Sequence, residues 1–503
     1  MYMSKIDNST VIDTQIKQVD IHGPREVFGS MAVSQATPLL HLSFNYLINP
    51  LLIKSTIEGS GTITSVNTLA NISTGTTTNS KAIMTTNERA RYNPGMGMLA
   101  RFTALFTTPV TGTTQLIGVG DATNGFFFGY DGTSFGVLRR CGGELYLREL
   151  HILTASSGSS DLTIQLDGVS FDVPILVSDT QEEIALKIYN YTSFEGWDVD
   201  LKGDKVIFSS TIAEVKSGSF SIITNTTAIT SDFTNIIQTG VAPTENWNYQ
   251  ANWNVNIFSD LDQTKGNVYQ IEFQWLGYGM IVFSIENEIG EFTPVHKIYY
   301  ANKNTSPSVF FPSLPLYAMT DNGATTNDII VKTASMSLFN QGQIDYTLGP
   351  RFGCSGNNEN ESINSRNGNF INMLSLKNNV HFQGTSNRSE VLILYVDLST
   401  ESGKAVVVQV FKNPVFDTSS SITWTNVDAT SSCSSYMTDA VEITSGSEMI
   451  TFSMAKVEKK SIMALPLHFF LDPGDVLCFA CRAIGNTSTT SDLEASIHFV
   501  ERQ

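Results

Sequence analysis

Charge is scarce in this sequence. Asp, Glu, Lys and Arg make up 16% of its 503 residues, against roughly 25% in ordinary soluble proteins. Ser, Thr, Asn and Gly fill the gap, a mixture that suits strands and turns better than helices. What charge there is leans acidic, with 48 Asp and Glu against 30 Lys and Arg and a formal net charge of −18. Phosphate backbones attract Lys and Arg, so this balance argues against a nucleic-acid partner, and an anionic membrane surface would repel it too. The acids are dispersed, as on an outward-facing protein kept soluble by its charge, and form no acidic tail.

Cysteine is scarce as well. Five residues, an odd number in a long chain, argue against a disulfide framework. Cys478 and Cys481 form a C-x-x-C in "DVLCFACRA", but no second such pair completes a zinc site. In an extended strand an offset of three points the two thiols to opposite faces, so both read as small buried residues. Cys354 and Cys433 read as loop cysteines with no local base. The first residues, "MYMSKIDNSTVIDTQIKQVD", lack a basic start and an apolar stretch, so no secretory leader is expected and synthesis in a cytoplasm is. The most apolar run, "LLHLSFNYLINPLLI", carries too many polar residues to insert in a membrane. The sequons at Asn71 and Asn387 then carry no message.

Signatures of chemistry are missing too. There is no G-x-S-x-G elbow, the seven histidines (His22, His41, His151, His296, His381, His468, His498) are scattered, and calcium-loop spacing is absent. Glu286 and Glu288 have same-face spacing but read as an exposed strand end rather than a glycosidase pair. The stretch "YQIEFQWLGYGMIVFSIENE" holds Gly277 and Gly279, yet the third glycine of a nucleotide fingerprint is absent and a strand follows in place of a helix. These glycines read as a bulge or tight connection between strands. No catalytic residue, cofactor or metal site is expected.

What remains is strand after strand. Tyr269, Ile271, Phe273 and Trp275 alternate with Gln270, Glu272 and Gln274, a sheet with one apolar side. Similar patterns run from about residue 25 to 151 and return from 244 to 348, and strands without crossover helices indicate an antiparallel sandwich. Between them, residues 152–243 read as an inserted α+β module. Its Asp167-Gly168 is a hairpin turn. Its one convincing helix has Asp179 as cap, Glu182 completing a capping box, and Ile184, Ala185 and Ile188 on its apolar face. Asp131-Gly132 reads as another two-residue turn. Residues 1–24 read as a polar arm, 349–369 as a linker by composition, and 370–503 as a second, C-terminal β-sandwich with runs such as "VLILYVDLS" and "KAVVVQVFK". The fold class expected is all-β: antiparallel sandwiches, jelly-roll or lectin-like, plus the module. For ligand contact, Trp275 belongs to the core, whereas Trp247 and Trp424 sit among polar neighbours and are the candidates.

Two segments, "ERARYNPGMGMLARFTALFTTPVTGTTQLIGVGDATNGFFFGYDGTSFGVLRR" and "KGNVYQIEFQWLGYGMIVFSIENEIGEFTPVHKIYYANKN", resemble virion structural proteins of tailed bacteriophages and large DNA viruses, a group labelled fibre, capsid-associated or tail-structure proteins. The module's "LTIQLDGVSFDVPILVSDTQEEIALKIYN" is similar to small domains embedded in phage tail and sheath proteins. The C-terminal "LDPGDVLCFACRA" and "DLEASIHFVERQ" resemble the closing sheet of the same group. The resemblance spans most of residues 25–503. It implies a virion component assembled in the host cytoplasm, with other virion proteins as partners, and it transfers no site residue. Open edge strands would pair across subunits, so a homo-oligomer is expected. The expectation is therefore a non-enzymatic structural protein on a virus or phage surface (fibre, spike or capsid decoration) that mediates host attachment through a receptor or glycan. The competing readings are a surface polysaccharide depolymerase and a non-viral glycan-binding module.

Overall fold

The computed structural model describes residues 36–502 apart from 192–193, 225–227, 343–348, 401–403, 418–421 and 464–468. The arm expected at 1–24, with His22, and also His468 lie outside the described residues. The chain is all-β apart from one helix and one short 3-10 turn among the described residues, and its strands pair antiparallel.

The first sandwich pairs a nine-stranded with a seven-stranded sheet. The nine-stranded sheet runs Phe292–Ile298, Ile281–Glu286, Asn267–Phe273, Gly97–Phe106 and then forks. Ser335–Gln341 and Ala36–Ser43 continue along the first half of Gly97–Phe106. Ile330–Thr333, Leu69–Ser73 and Thr62–Val66 continue along its end. The facing sheet runs Thr244–Tyr249, Ser134–Cys141, Gly125–Asp131, Thr114–Gly120, Leu316–Asp321, Lys81–Thr86, Ile53–Glu58.

Alternation places the core as expected. Tyr269, Ile271 and Phe273 are buried between the sheets, while Gln270 on the other side accepts from Arg101 Nε at 2.7 Å and donates to Glu272 at 2.7 Å. Phe128 stands at the centre, with ring contacts to Tyr269 at 4.8 Å and Phe283 at 5.4 Å. Each such ring contributes about 1.5–3 kcal/mol by leaving water. Gly277 and Gly279 lie in the connection between two adjacent antiparallel strands, Asn267–Phe273 and Ile281–Glu286. Gly277 has φ +78°, which a side chain would resist, its carbonyl accepts from Ser308 N, and Gly279 N closes the turn on Trp275 O at 2.7 Å. A strand-to-strand turn, not a phosphate loop, is what these glycines make. The apolar run at 39–53 divides into a strand and an exposed turn, and no described helix is long and apolar enough to cross a membrane.

The chain leaves the seven-stranded sheet at Cys141 and returns at Thr244, residues opposite each other in one ladder. What lies between is an insertion. It begins with the strand Leu147–Ile152, and it holds a five-stranded sheet, a three-stranded sheet and the helix Gln181–Asn190. Asp167-Gly168 makes the expected two-residue turn, closed by Leu166 opposite Val169. The Asp131 turn is displaced by one, since Asp131 pairs with Ser134 and leaves Gly132 and Thr133 as the loop.

The helix cap is displaced by one as well. Both Asp179 and Thr180 have a glutamate three residues on, but Thr180 is the cap, its Oγ1 accepting from Glu183 N at 3.2 Å while Glu183 Oε2 accepts from Thr180 N at 2.7 Å. Asp179 is taken by Leu176 N and by Lys187, which reaches back along the helix. Thr180→Ala should therefore cost about 1 kcal/mol, read as a lower urea midpoint at unchanged slope, whereas an Asp179 variant would act through the Lys187 pair instead. Leu186 joins Ile184, Ala185 and Ile188 in the buried set.

Residues 351–363, within the stretch expected to be a linker, form the strand Arg351–Ile363, paired along the terminal strand Thr489–Arg502. Polar composition misleads here because a sheet position asks for backbone hydrogen bonds first and apolar side chains on one face only. With Glu390–Thr400, Glu458–Met463 and Phe470–Leu471 these strands make a five-stranded sheet. It packs on a six-stranded sheet built from Thr425–Asn426, Ser434–Met437, Phe370–Asn378, Glu442–Met454, Val406–Phe416 and Val476–Ala483. The six-stranded sheet is apolar on both faces. Val406, Val408 and Cys481 meet the five-stranded sheet, and Phe411, Phe416, Val476 and Cys478 meet the inserted module.

Arg388 and Glu390 of the second sandwich line its seam with the first. Arg388 stacks 3.5 Å from the Phe311 ring and donates to Thr123 Oγ1 at 3.4 Å. Arg89 and Asp121 pair at 2.7 Å beside it. Glu390 pairs with Arg502 at 3.2 Å.

Candidate functional site

The strand Thr244–Tyr249 is an edge of the seven-stranded sheet. Trp247 lies opposite Leu138 in the neighbouring strand, and its indole packs on the cluster of Leu138, Phe127 and Tyr317. The two-residue period of a strand puts Tyr249 on the same side, where its ring lies 6.1 Å from that of Trp247 and 13° from parallel. The Tyr249 hydroxyl donates to Asp131 Oδ2 at 2.7 Å, a bond that holds the phenol above its ordinary pKa.

Along this edge runs an open groove of ≈ 580 Å³, lined also by Arg139, Tyr299 and Tyr300. Arg139 is held by Ser308 O at 2.6 Å and lies 5.2 Å from the Tyr300 ring. Glu245 accepts from Arg140 at 2.7 Å. Tyr299 is 53% exposed. Asn246 Nδ2 is buried and has no hydrogen-bond partner, a state that costs about 1–3 kcal/mol until something accepts from it. Flat rings beside amide, guanidinium and carboxylate groups suit a ligand with an apolar face and a hydroxylated rim.

Trp424 does not join this groove. It is half-buried against the module, with Lys377 Nζ 5.3 Å from its ring centre, and it lines a separate cavity of ≈ 160 Å³ between the module and the second sandwich. The two tryptophans singled out by their polar neighbours thus belong to two different places. Trp197 and Trp253 are buried. Trp275 is partly buried at the core's edge, its indole N–H donating to Val309 O at 2.9 Å.

Glu286 ends its strand and Glu288 lies exposed in the following turn. The cysteine readings divide. Cys478 and Cys481 are buried on opposite faces of one strand, as an offset of three requires, and burial pushes the Cys478 thiol up to about 12. Cys354 and Cys433, expected in polar loops, are buried as well. Cys354 sits on the strand that replaces the linker, and Cys433 is enclosed where its N–H donates to Glu501 Oε2 at 3.2 Å. Burial raises both to about 12. Among the described residues no three His, Cys, Asp or Glu side chains come together in a way that could hold a metal ion.

No family model matches the chain, and no curated protein sequence does. Solved structures align with it at low similarity. The metal-free carbohydrate recognition domain of Emp46p covers 60% of this chain and 98% of its own, at 10% identity and TM-score 0.23. A seed lectin of Lotus tetragonolobus covers 61% and 99%, at 9% identity and TM-score 0.22. A structure described under endo-acting O-glycanases of the human gut microbiota covers 60% and 99%, at 8% identity and TM-score 0.25. The groove stands on its own geometry.

Proposed function

We propose that this chain is a non-enzymatic scaffold protein of a virus or phage surface, and that its edge groove attaches the particle to host glycan. The groove carries the glycan part of this reading. The parallel pair Trp247 and Tyr249 and the exposed Tyr299 present the flat apolar surface that a sugar's apolar side requires. Placement on a particle is supported by the resemblance of residues 88–140 and 265–304 to virion structural proteins, and by self-closing antiparallel sandwiches that leave loops and edges for contact. Binding without cleavage is supported by the groove's acid set. Glu245 is the one carboxylate among its lining residues and is engaged by Arg140, whereas two-carboxylate hydrolysis needs a facing pair.

Screening the whole chain on a host-surface glycan array should give binding that Trp247→Ala and Tyr299→Ala each weaken at least about ten-fold, or 1.4 kcal/mol. Asn246→Ala should leave the melting temperature unchanged or raised, because it removes a buried donor with no partner. Undiminished binding in both aromatic variants would dismiss the groove. Steady release of reducing ends from host polysaccharide would move the protein to the depolymerase reading.

A further inference from the structure

We infer that the cavity at Trp424 is a second binding site, independent of the groove, which takes one neutral hydroxylated ring: a single sugar residue. Three separate pieces of chain build it. They are the end of the module strand Trp197–Lys202, the small hairpin of His381–Phe382 and Thr385–Ser386, and the loop leading to Ser434–Met437. Ligand sites favour such junctions between domains, because a concavity there is assembled from two surfaces. At ≈ 160 Å³ and about 30 Å³ per water, the space suits one ring.

Several polar groups around the cavity are engaged with one another, and a few are left over. Asn379 Nδ2 donates to Ser435 Oγ at 3.0 Å, and Ser435 Oγ donates to Asn426 Oδ1 at 3.0 Å. That chain leaves an acceptor, Asn379 Oδ1, at one end and a donor, Asn426 Nδ2, at the other. His381 lines the cavity, its Nδ1 buried and without a partner, and burial keeps the ring's pKa below its ordinary value, which favours the neutral imidazole. A hydroxyl group satisfies either tautomer, since it both donates and accepts. The wall's buried carboxylate, Asp200, is already neutralised by Lys377, and the remaining charge of the lining, Lys202, is exposed to solvent at the rim. Trp424 supplies the apolar surface, with Lys377 fixing its orientation.

The test uses the full chain, a panel of free monosaccharides, and saturation-transfer NMR with calorimetry. At least one sugar should bind, and His381→Leu, which removes the ring nitrogens at similar volume, should weaken it ten-fold or more. Trp247→Ala should leave that affinity unchanged, and His381→Leu should leave glycan-array binding unchanged, so failure here and failure of the groove are told apart. In the unsubstituted protein, bound sugar should shift the His381 Nδ1 resonance, a readout that survives if the variant does not fold. The inference is overturned if no monosaccharide moves that resonance, or if the binding found is lost in Trp247→Ala and kept in His381→Leu.

Discussion

Lys377→Met is expected to destabilise the protein by about 3–5 kcal/mol, the usual penalty for leaving one member of a buried ion pair without the other. The Lys377 and Asp200 side chains are only 3% and 5% exposed. Lys377 lies on the strand Phe370–Asn378, where Leu374 and Leu376 face the second sandwich's own core. Its ammonium instead reaches the module, contacting the Asp200 carboxylate and donating to Leu201 O at 2.7 Å. Methionine matches the stem but leaves Asp200 charged and dry. The double variant Asp200→Asn with Lys377→Met should recover most of the loss, because removing both charges of a buried pair is often near neutral. Urea unfolding of the four proteins gives the coupling directly. Equal loss in the single and double variants would show that the pair is not what holds the strand Trp197–Lys202 in place.

The second large effect is a pH dependence at the seam between the sandwiches. Burial pushes Glu390 up to about 7, against the opposing pull of Arg502 and Arg91, although the side chain keeps 16% exposure. A carboxyl whose folded pKa lies above its unfolded value near 4.5 holds its proton better when folded. Its contribution is therefore complete below about pH 4.5 and is lost as pH rises through about 7, an amount on the order of 3 kcal/mol. Asp472, raised by burial with Asp475 and Glu390 nearby, acts in the same direction. Asp121 acts in the opposite direction, because Arg89 and Arg388 hold it well below its ordinary value, so its stabilisation is lost only in stronger acid. The Glu390 and Asp472 contribution should thus fall between pH 5 and pH 8, against a rise from the buried His296 and His381, whose pKa values burial lowers, and Glu390→Gln should make the melting temperature less prone to fall across that range. A slope unchanged in Glu390→Gln would place the linkage elsewhere.

Much of this architecture is legible along the chain. The alternation of Tyr269, Ile271 and Phe273 names the inward face before any fold is known, and the offset between Cys478 and Cys481 foretells a strand buried on both sides. The insertion is legible because its helix joins a capping signal to an apolar face at helical spacing, Ile184, Ala185 and Ile188. Misreadings arise where two local solutions compete, as with Asp179 and Thr180, or where composition stands in for pairing, as at Arg351–Ile363. The groove was only half visible. Trp247 stood out by its polar neighbours, and the i, i+2 spacing to Tyr249 could have been noticed. Arg139 and Tyr299, however, reach that edge only through sheet order, which local pattern does not encode. Trp424 and His381 meet across a junction for the same reason.

The rungs at Cys141 and Thr244 adjoin, so a designer could cut out everything between them and splice the ends with a short loop. Topology allows this surgery; solvation forbids it. Stripped of its neighbour, the six-stranded wall would turn Phe411, Phe416, Met437 and Ile443 toward water, and such molecules would clump through that bared side. The insert is masonry in a three-course wall, and any shortened version must first repaint the middle course with polar residues.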